Sequence, residues 1–314
     1  MVEKNEEFHP IFNGIEIGVG TWAWGDRLYW GYGSNYAADD VKNAFVSSLD
    51  NGLTFFDTAE VYGQGKSESL LGAFVSETDS KLVIATKIMP FPWRLTHKAF
   101  KSALRGSLTR LNRSYIDLYQ LHMPLPPLKI ETWMEYMAEA QQNNLIRAVG
   151  VSNFSVEQMQ RAYDTLIKSG VTLASNQVEY SLLDRSIEDN GVLKTCLDMG
   201  IKCIGYSPIG MGLLSGKYSL NNPVKGMRAS KYSKQDLIRI NPLIDTLKKI
   251  GSDHGGMSAS QVAINWVRAK GVLPIPGAKN HDQAVQNSSV LGWSLDEREI
   301  ERLDDISKKV AKER

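Results

Sequence analysis

The sequence predicts an α/β chain folded as a single (β/α)8 (TIM) barrel over residues 1–314, with a long loop after the seventh strand and a C-terminal helix. Three observations lead there. Short apolar runs recur eight times, each followed by a stretch with helical spacing, the count that closes a barrel of alternating strands and helices. The runs are continuously apolar, as parallel strands covered on both faces require. No Pro- or Ser-rich linker divides the alternation, so one domain is preferred over the two that ~150 residues per domain would suggest.

Residues 15–20 (IEIGVG) form the first run, and 38–50 carry helical spacing. LTFFD at 53–57 is followed by a helix over 67–76, and LVIAT at 82–86 by one at 96–111. IDLYQ at 116–120 precedes a helix at 131–144, and IRAVGV at 146–151 one at 155–168. LASNQVE at 173–179 leads to a helix near 189–199. The seventh run, KCIGY at 202–206, is separated by a Gly-rich connection of about 25 residues, far longer than a usual loop, from helices near 234–254 and 258–269. VLPIP at 272–276 completes the set, with a helix near 280–288 and a charged helix near 295–312.

Lys and Arg total 36 against 35 Asp and Glu, a net charge of +1, which gives no electrostatic case for nucleic acid or an anionic membrane as partner. Cys196 and Cys203 are the two cysteines, with neither CxxC spacing nor a neighbouring histidine. That argues against a disulfide framework or cysteine zinc site and for a reducing compartment. The opening MVEKNEEFHP is unlike a signal or transit peptide, and no apolar run approaches the ~18 residues of a membrane span. A cytoplasmic protein, monomeric or weakly homo-oligomeric, acting on a small molecule is expected. His9, His97, His122, His254 and His281 are scattered without ligand spacing, so no metal site is expected.

Two motifs fail on context. Gly18-Val-Gly20-Thr21-Trp22-Ala23 fits a dinucleotide fingerprint, but its glycines lead into an aromatic loop and not into a helix. GMGLLSGK at 210–217 has five residues between its outer glycines instead of four, and Tyr218 stands where a phosphate loop needs Ser or Thr.

A barrel gathers its site where the strands' C-terminal ends meet. Strand two ends in Asp57, with Tyr62 in the following loop. Strand three ends in Lys87, strand four in His122, and strand five in Ser152-Asn153. Gln177 lies near the end of strand six, Tyr206-Ser207 end strand seven, and strand eight delivers Pro276-Gly277-Ala278-Lys279. Singly, each has a bland explanation: a turn cap for Asp57, a snorkelling Lys87, loop packing for Tyr62, a satisfied carbonyl for His122. Jointly, one Asp, one Lys and one His brought to one face beside a Tyr need each other, because an unpaired buried charge is expensive. Lys87 near Tyr62 is expected to favour the phenolate and lower a pKa that starts at ~10. Asp57 would hold Lys87, His122 would orient a carbonyl oxygen, and Tyr62 would protonate that oxygen as charge develops. The set supplies no electrons, so a cofactor must.

The chain resembles the aldo-keto reductase superfamily in DTAEVYG at 57–63, ATK at 85–87, DLYQLH at 117–122, GVSNF at 150–154, SNQVEYSLL at 175–183, YSPIGMGLLSGKY at 206–218 and IPGAKNHDQAVQN at 275–287. These occur in family order and cover almost the whole chain. The resemblance implies NADPH/NADP+ bound in extended form and the catalytic tetrad Asp57, Tyr62, Lys87 and His122. It implies Ser152, Asn153 and Gln177 at the nicotinamide carboxamide and Tyr206 stacked on the ring. Ser207, Pro208, Ile209, Gly210, Leu213 and Lys217 match the loop over the pyrophosphate. Lys279 and Gln283 match the segment around the adenosine 2′-phosphate, with Gln286 and Asn287 nearer the adenine. Gly20, Thr21 and Trp22 after strand one, and Ile275 and Gly277 at strand eight, complete the cofactor set. Lys279 favours NADPH over NADH, while Gln283 and Gln286 stand where the family often carries a basic and an acidic residue.

Relatives that reduce carbon–carbon double bonds in steroids replace the histidine by glutamate, so the retained His122 implies reduction of aldehydes and ketones. Trp22, Trp24, Tyr29, Trp30, Trp93 and Met123, with Met89 nearby, are the expected substrate-pocket residues, since apolar and aromatic side chains line such pockets. Two alternatives keep the same barrel and cofactor: a redox-sensing regulatory subunit resembling potassium-channel β subunits, and a specialised pyridoxal reductase.

Overall fold

The computed structural model describes residues 8–224, 229 and 232–312. The polar start at 1–7 and positions 225–228, 230 and 231 of the long connection lie outside the described residues. Eight parallel strands form one sheet in sequential order: β1 (Val19–Gly20), β2 (Phe55–Asp57), β3 (Val83–Ile88), β4 (Ile116–Leu121), β5 (Ile146–Ser152), β6 (Leu173–Glu179), β7 (Lys202–Tyr206) and β8 (Leu273–Ile275). The helices between them are α1 (Ala38–Asp50), α2 (Lys66–Val75), α3 (His97–Leu111), α4 (Ile130–Gln142) and α5 (Val156–Ile167). They continue with α6 (Ser186–Asp189), α7 (Val192–Asp198), α8 (Lys234–Asp253), α9 (Ala259–Ala269), α10 (His281–Ser288) and α11 (Glu297–Lys312). The chain is a (β/α)8 barrel, as expected. Among the described residues no helix is long and apolar enough to cross a membrane.

The helix expected near 189–199 is two pieces, because Gly191 takes φ 80° between α6 and α7. The first strand is shorter than expected for a related reason of bonding. Gly18 and Gly20 donate their N–H groups to the carbonyls of Pro274 (2.9 Å) and Pro276 (3.0 Å), closing β8 onto β1. In a strand the N–H and C=O of one residue point to the same side, and proline has no N–H to return. Pro274 and Pro276 thus return no bond to β1, an isolated parallel bridge joins Gly20 to Gly277 beyond them, and β1 pairs with β2 over two residues.

Two apolar layers result. Between strands and helices lies a continuous core in which Trp24, Tyr119, Trp133 and Trp266 are almost fully buried. Inside the barrel, Phe55, Ala85, Leu118, Ala148, Ala174, Ile204, Leu273 and Ile275 pack on Phe12, which caps the lower end from a short 3₁₀ turn, Pro10–Phe12. Side chains two residues apart share a face of a strand. The residues one step beyond this apolar layer therefore also face inward: Asp57 after Phe55, Lys87 after Ala85, Gln120 and then His122 after Leu118, Tyr206 after Ile204. That alternation stacks a polar layer directly on an apolar one at the C-terminal rim.

Candidate active site

Lys87 is 1 % exposed and its Nζ donates to Asp57 Oδ1 at 2.5 Å, to the Thr58 carbonyl at 2.9 Å and to the Tyr62 hydroxyl at 3.3 Å. Asp57 Oδ2 accepts from Gln177 Nε2 (2.7 Å) and Gln120 Nε2 (3.1 Å). The buried carboxylate thus has donors on both oxygens, the condition under which a buried charge is tolerated. Gly150 makes room for this network, since a Cβ there would lie 2.5 Å from Ser175 Oγ and 2.9 Å from Gln120 Cγ.

Tyr62 opens a 3₁₀ turn, Tyr62–Gly65, in which Gly63 has φ 54°. A side chain at Gly63 would meet the Gly25 carbonyl oxygen at 2.7 Å, so glycine is needed for both the left-handed backbone and the close approach of the two loops. Glu60, in the same loop, accepts from both terminal nitrogens of Arg94 and from the Met89 N–H at 2.6 Å, clipping the loop after β3 beside the tyrosine. His122 presents its ring edge-on to Tyr62, centres 5.8 Å apart.

The electrostatics differ from the expectation in sign. Burial pushes the Tyr62 phenol above its ordinary value, and the opposing pull of Lys87 is too small to offset it. Asp57 adds to the rise: its carboxylate, 2.5 Å from the ammonium, opposes the Lys87 field that would stabilise a phenolate. Tyr62 is therefore a neutral phenol at pH 7, holding its proton. Lys87 loses stabilisation through burial, yet Asp57 and Tyr62 outweigh that and raise its pKa, so it stays charged. His122 is held down to about 3, by burial first and by the Lys87 charge second, so its ring is neutral. Its Nδ1 has no hydrogen-bond partner among the described residues. An orphaned buried acceptor is tolerated better than an orphaned N–H, which puts the proton on Nε2.

These groups stand at one end of a cleft of about 570 Å³, within the usual range for small-molecule sites. Gly20, Trp22, Trp30, Asp57, Tyr62, His122 and Met123 line that end. Ser152, Asn153, Gln177 and Tyr206 follow from β5 to β7. Asn153, at φ 61°, accepts from the Tyr206 hydroxyl at 3.1 Å and donates to Ser152 Oγ at 3.0 Å, tying three of them together. Ser207, Pro208, Ile209 and Lys217 line the cleft as well, as do Ile275, Gly277, Lys279, Gln283, Gln286 and Asn287. Amides beside an aromatic ring, a loop with a lysine, and a second lysine beside amides are groups that suit a carboxamide-bearing ring, a pyrophosphate and a phosphorylated adenosine. The donor set fits a dinucleotide.

Several expected residues lie elsewhere. Trp24 is not a pocket wall: it is 0 % exposed against Phe56 and Phe74, with Nε1 donating to the Ala278 carbonyl at 2.7 Å. Trp93 is 72 % exposed and stacked on Phe91, away from the cleft. Tyr29 stands behind Trp22, ring centres 5.0 Å apart, and donates to Met211 Sδ at 3.2 Å. Thr21 is buried, bonded to the Asp57 carbonyl and to Ser67 Oγ, while Gly210 and Leu213 lie within their loop and not on the cleft wall. Trp24, Thr21 and Leu213 are buried, Trp93 stands in solvent, and Tyr29 supports Trp22 from outside the cleft. Gln120, Glu179, Met211, Gly212, Ser215 and Ser260 were missed. Gln120 had a signal, the two-residue alternation from Leu118; Ser260 comes from α9 and had none.

The family model described as Aldo/keto reductase family matches residues 16–308, and the chain belongs to that family. It is similar to a chloroplastic pyridoxal reductase of Arabidopsis thaliana, 38% identical over 309 residues, covering 94% of this chain and 84% of the relative. Among solved structures it resembles a glycerol dehydrogenase from Gluconobacter oxydans with a TM-score of 0.82 and 28% identity, covering 94% and 92% of the two chains. An aldo-keto reductase from Klebsiella pneumoniae in complex with NADPH matches with a TM-score of 0.73 and 27% identity, covering 93% and 90%.

Proposed function

We propose that this oxidoreductase reduces aldehydes and ketones to alcohols with NADPH, with Tyr62 as the proton donor. The observation that carries this is the Tyr62 hydroxyl, still protonated, 3.3 Å from a charged Lys87 that Asp57 holds at 2.5 Å, on the wall of the cleft. Bound along the cleft, the reduced nicotinamide supplies the hydride. The neutral His122 donates from Nε2 to the carbonyl oxygen and fixes its orientation. Tyr62 gives that oxygen its proton as negative charge gathers; an alkoxide is a far stronger base than a phenolate, so a raised phenol pKa does not hinder the transfer. Lys87 then stabilises the phenolate left behind, the moment at which its charge acts.

Ser152, Asn153 and Gln177 would hold the carboxamide and Tyr206 would back the nicotinamide ring. The loop from Ser207 to Lys217 covers the pyrophosphate, and Lys279 with Gln283 takes the 2′-phosphate. Pyridoxal is the first aldehyde to try, because the Arabidopsis relative bears that activity in its name. The test is loss of nicotinamide absorbance with NADPH and a panel of aldehydes that includes pyridoxal. Tyr62→Phe is expected to lower turnover ~10²–10⁴-fold with NADPH binding retained; undiminished turnover removes Tyr62 as the acid.

A further inference from the structure

The loop between β1 and α1 touches the segment after β8 in a way that the proton-donor chemistry does not use. Lys279 Nζ lies 4.5 Å from the centre of the Trp30 ring and 4.7 Å from that of Tyr36, and 3.5 Å from the Trp30 carbonyl. Both rings are fixed from outside the contact. Asp26 Oδ1 accepts the backbone N–H groups of Tyr29 (2.7 Å) and Trp30 (3.1 Å), and the Tyr36 hydroxyl donates to the Ala23 carbonyl at 2.5 Å. On the other side, the bond from Trp24 Nε1 to the Ala278 carbonyl pins the residue next to Lys279. Lys279 and Trp30 both line the cleft.

We propose that Trp30 and Tyr36 form an aromatic cage that presets the Lys279 ammonium for a 2′-phosphate, so that the loop after β1 determines discrimination for the phosphorylated cofactor. This rests on the NADPH reading above. A lysine side chain is flexible, and ordering it on binding weakens its contribution to affinity. Two ring faces attract the ammonium through their quadrupoles and limit the stem's rotamers before any ligand arrives. Ring faces take no hydrogen-bond acceptor's place, so a caged ammonium still donates to phosphate oxygens. Trp30 has a second role by position: it stands edge-on to Trp22 at 5.5 Å, and Trp22 lies 6.1 Å from the Tyr62 ring. The wall beside the acid is thus continuous with the cage.

The test is equilibrium binding of two fragments to the full chain, adenosine 2′,5′-bisphosphate and adenosine 5′-monophosphate. They differ only in the 2′-phosphate, and the ratio of their affinities cancels general damage to the adenosine site. The unaltered chain is expected to favour the bisphosphate, and Lys279→Met to remove most of that preference. Trp30→Leu is expected to lower the ratio roughly fivefold, the size of one cation–π contact, and Trp30→Phe to keep most of it. In the Lys279→Met background Trp30→Leu should have no further effect. An unchanged ratio in Trp30→Leu, or an equal drop without Lys279, overturns the cage while leaving the NADPH reading intact. If the unaltered chain does not discriminate between the fragments, the NADPH reading fails and the cage with it. Should Trp30→Leu fail to fold, Tyr36→Leu takes its place with the same outcomes.

Discussion

Replacing His122 by Gln should remove a specific acid sensitivity of the fold. In the native chain the imidazole pKa is depressed from 6.5 to about 3, whereas in the unfolded chain it returns to its ordinary value. Below pH 6.5 the unfolded state therefore binds a proton that the native state refuses. The stability this group contributes is fully present above pH 6.5 and is lost progressively as the pH falls toward 3. The pKa gap amounts to about 5 kcal/mol over the whole window, of which about 2 kcal/mol is lost between pH 8 and pH 5. Glutamine is a polar side chain of similar size that does not titrate. Urea unfolding at pH 8 and pH 5, followed by tryptophan fluorescence for both proteins, isolates the effect because every other group titrates in both. The unaltered chain should lose about 2 kcal/mol more than the variant across that interval. Equal losses would show that His122 is solvated or charged in the native state, and the neutral-donor role would fall with it.

Two other perturbations follow from the same geometry. Lys87→Met leaves Asp57 buried without its ammonium and should cost about 3–5 kcal/mol in urea unfolding; adding Asp57→Asn should recover much of the stability but none of the turnover. Gly63→Ala forces a side chain into a left-handed backbone 2.7 Å from the Gly25 carbonyl, and should destabilise by more than ~1 kcal/mol while lowering kcat through displacement of Tyr62. Thermal unfolding and steady-state kinetics check both parts; a stable, fully active variant would mean that the two loops move apart freely.

Much of this was legible in the sequence because burial leaves few options. A parallel strand covered on both faces is rich in apolar residues, so LVIAT and KCIGY announce themselves, and a Lys or Asp at the end of such a run must find a partner. The periodicity of two then carries Asp57, Lys87 and His122 to one rim. What stayed hidden depended on quantities that a linear pattern lacks. The direction of Trp24 was not legible, because an aromatic loop residue packs equally well toward core or cavity. Gln120 shares the alternation from Leu118, but a neutral amide does not by itself say which carboxylate it bonds. The net shift on Tyr62 is a balance between burial and a partly cancelled lysine charge, and its sign depends on the packed structure around the ring.

The proline-interrupted seam between β8 and β1 has a consequence for the chain before it closes. Until the last strand docks, a growing sheet exposes two edges, each a template for pairing with another molecule. Here one edge, β1, has only two regularly paired residues, and the other presents Pro274 and Pro276, which accept hydrogen bonds but return none. Neither edge offers a neighbouring copy a full ladder. The irregularity that weakens closure thereby also guards the nascent barrel against joining a second chain before it has joined itself.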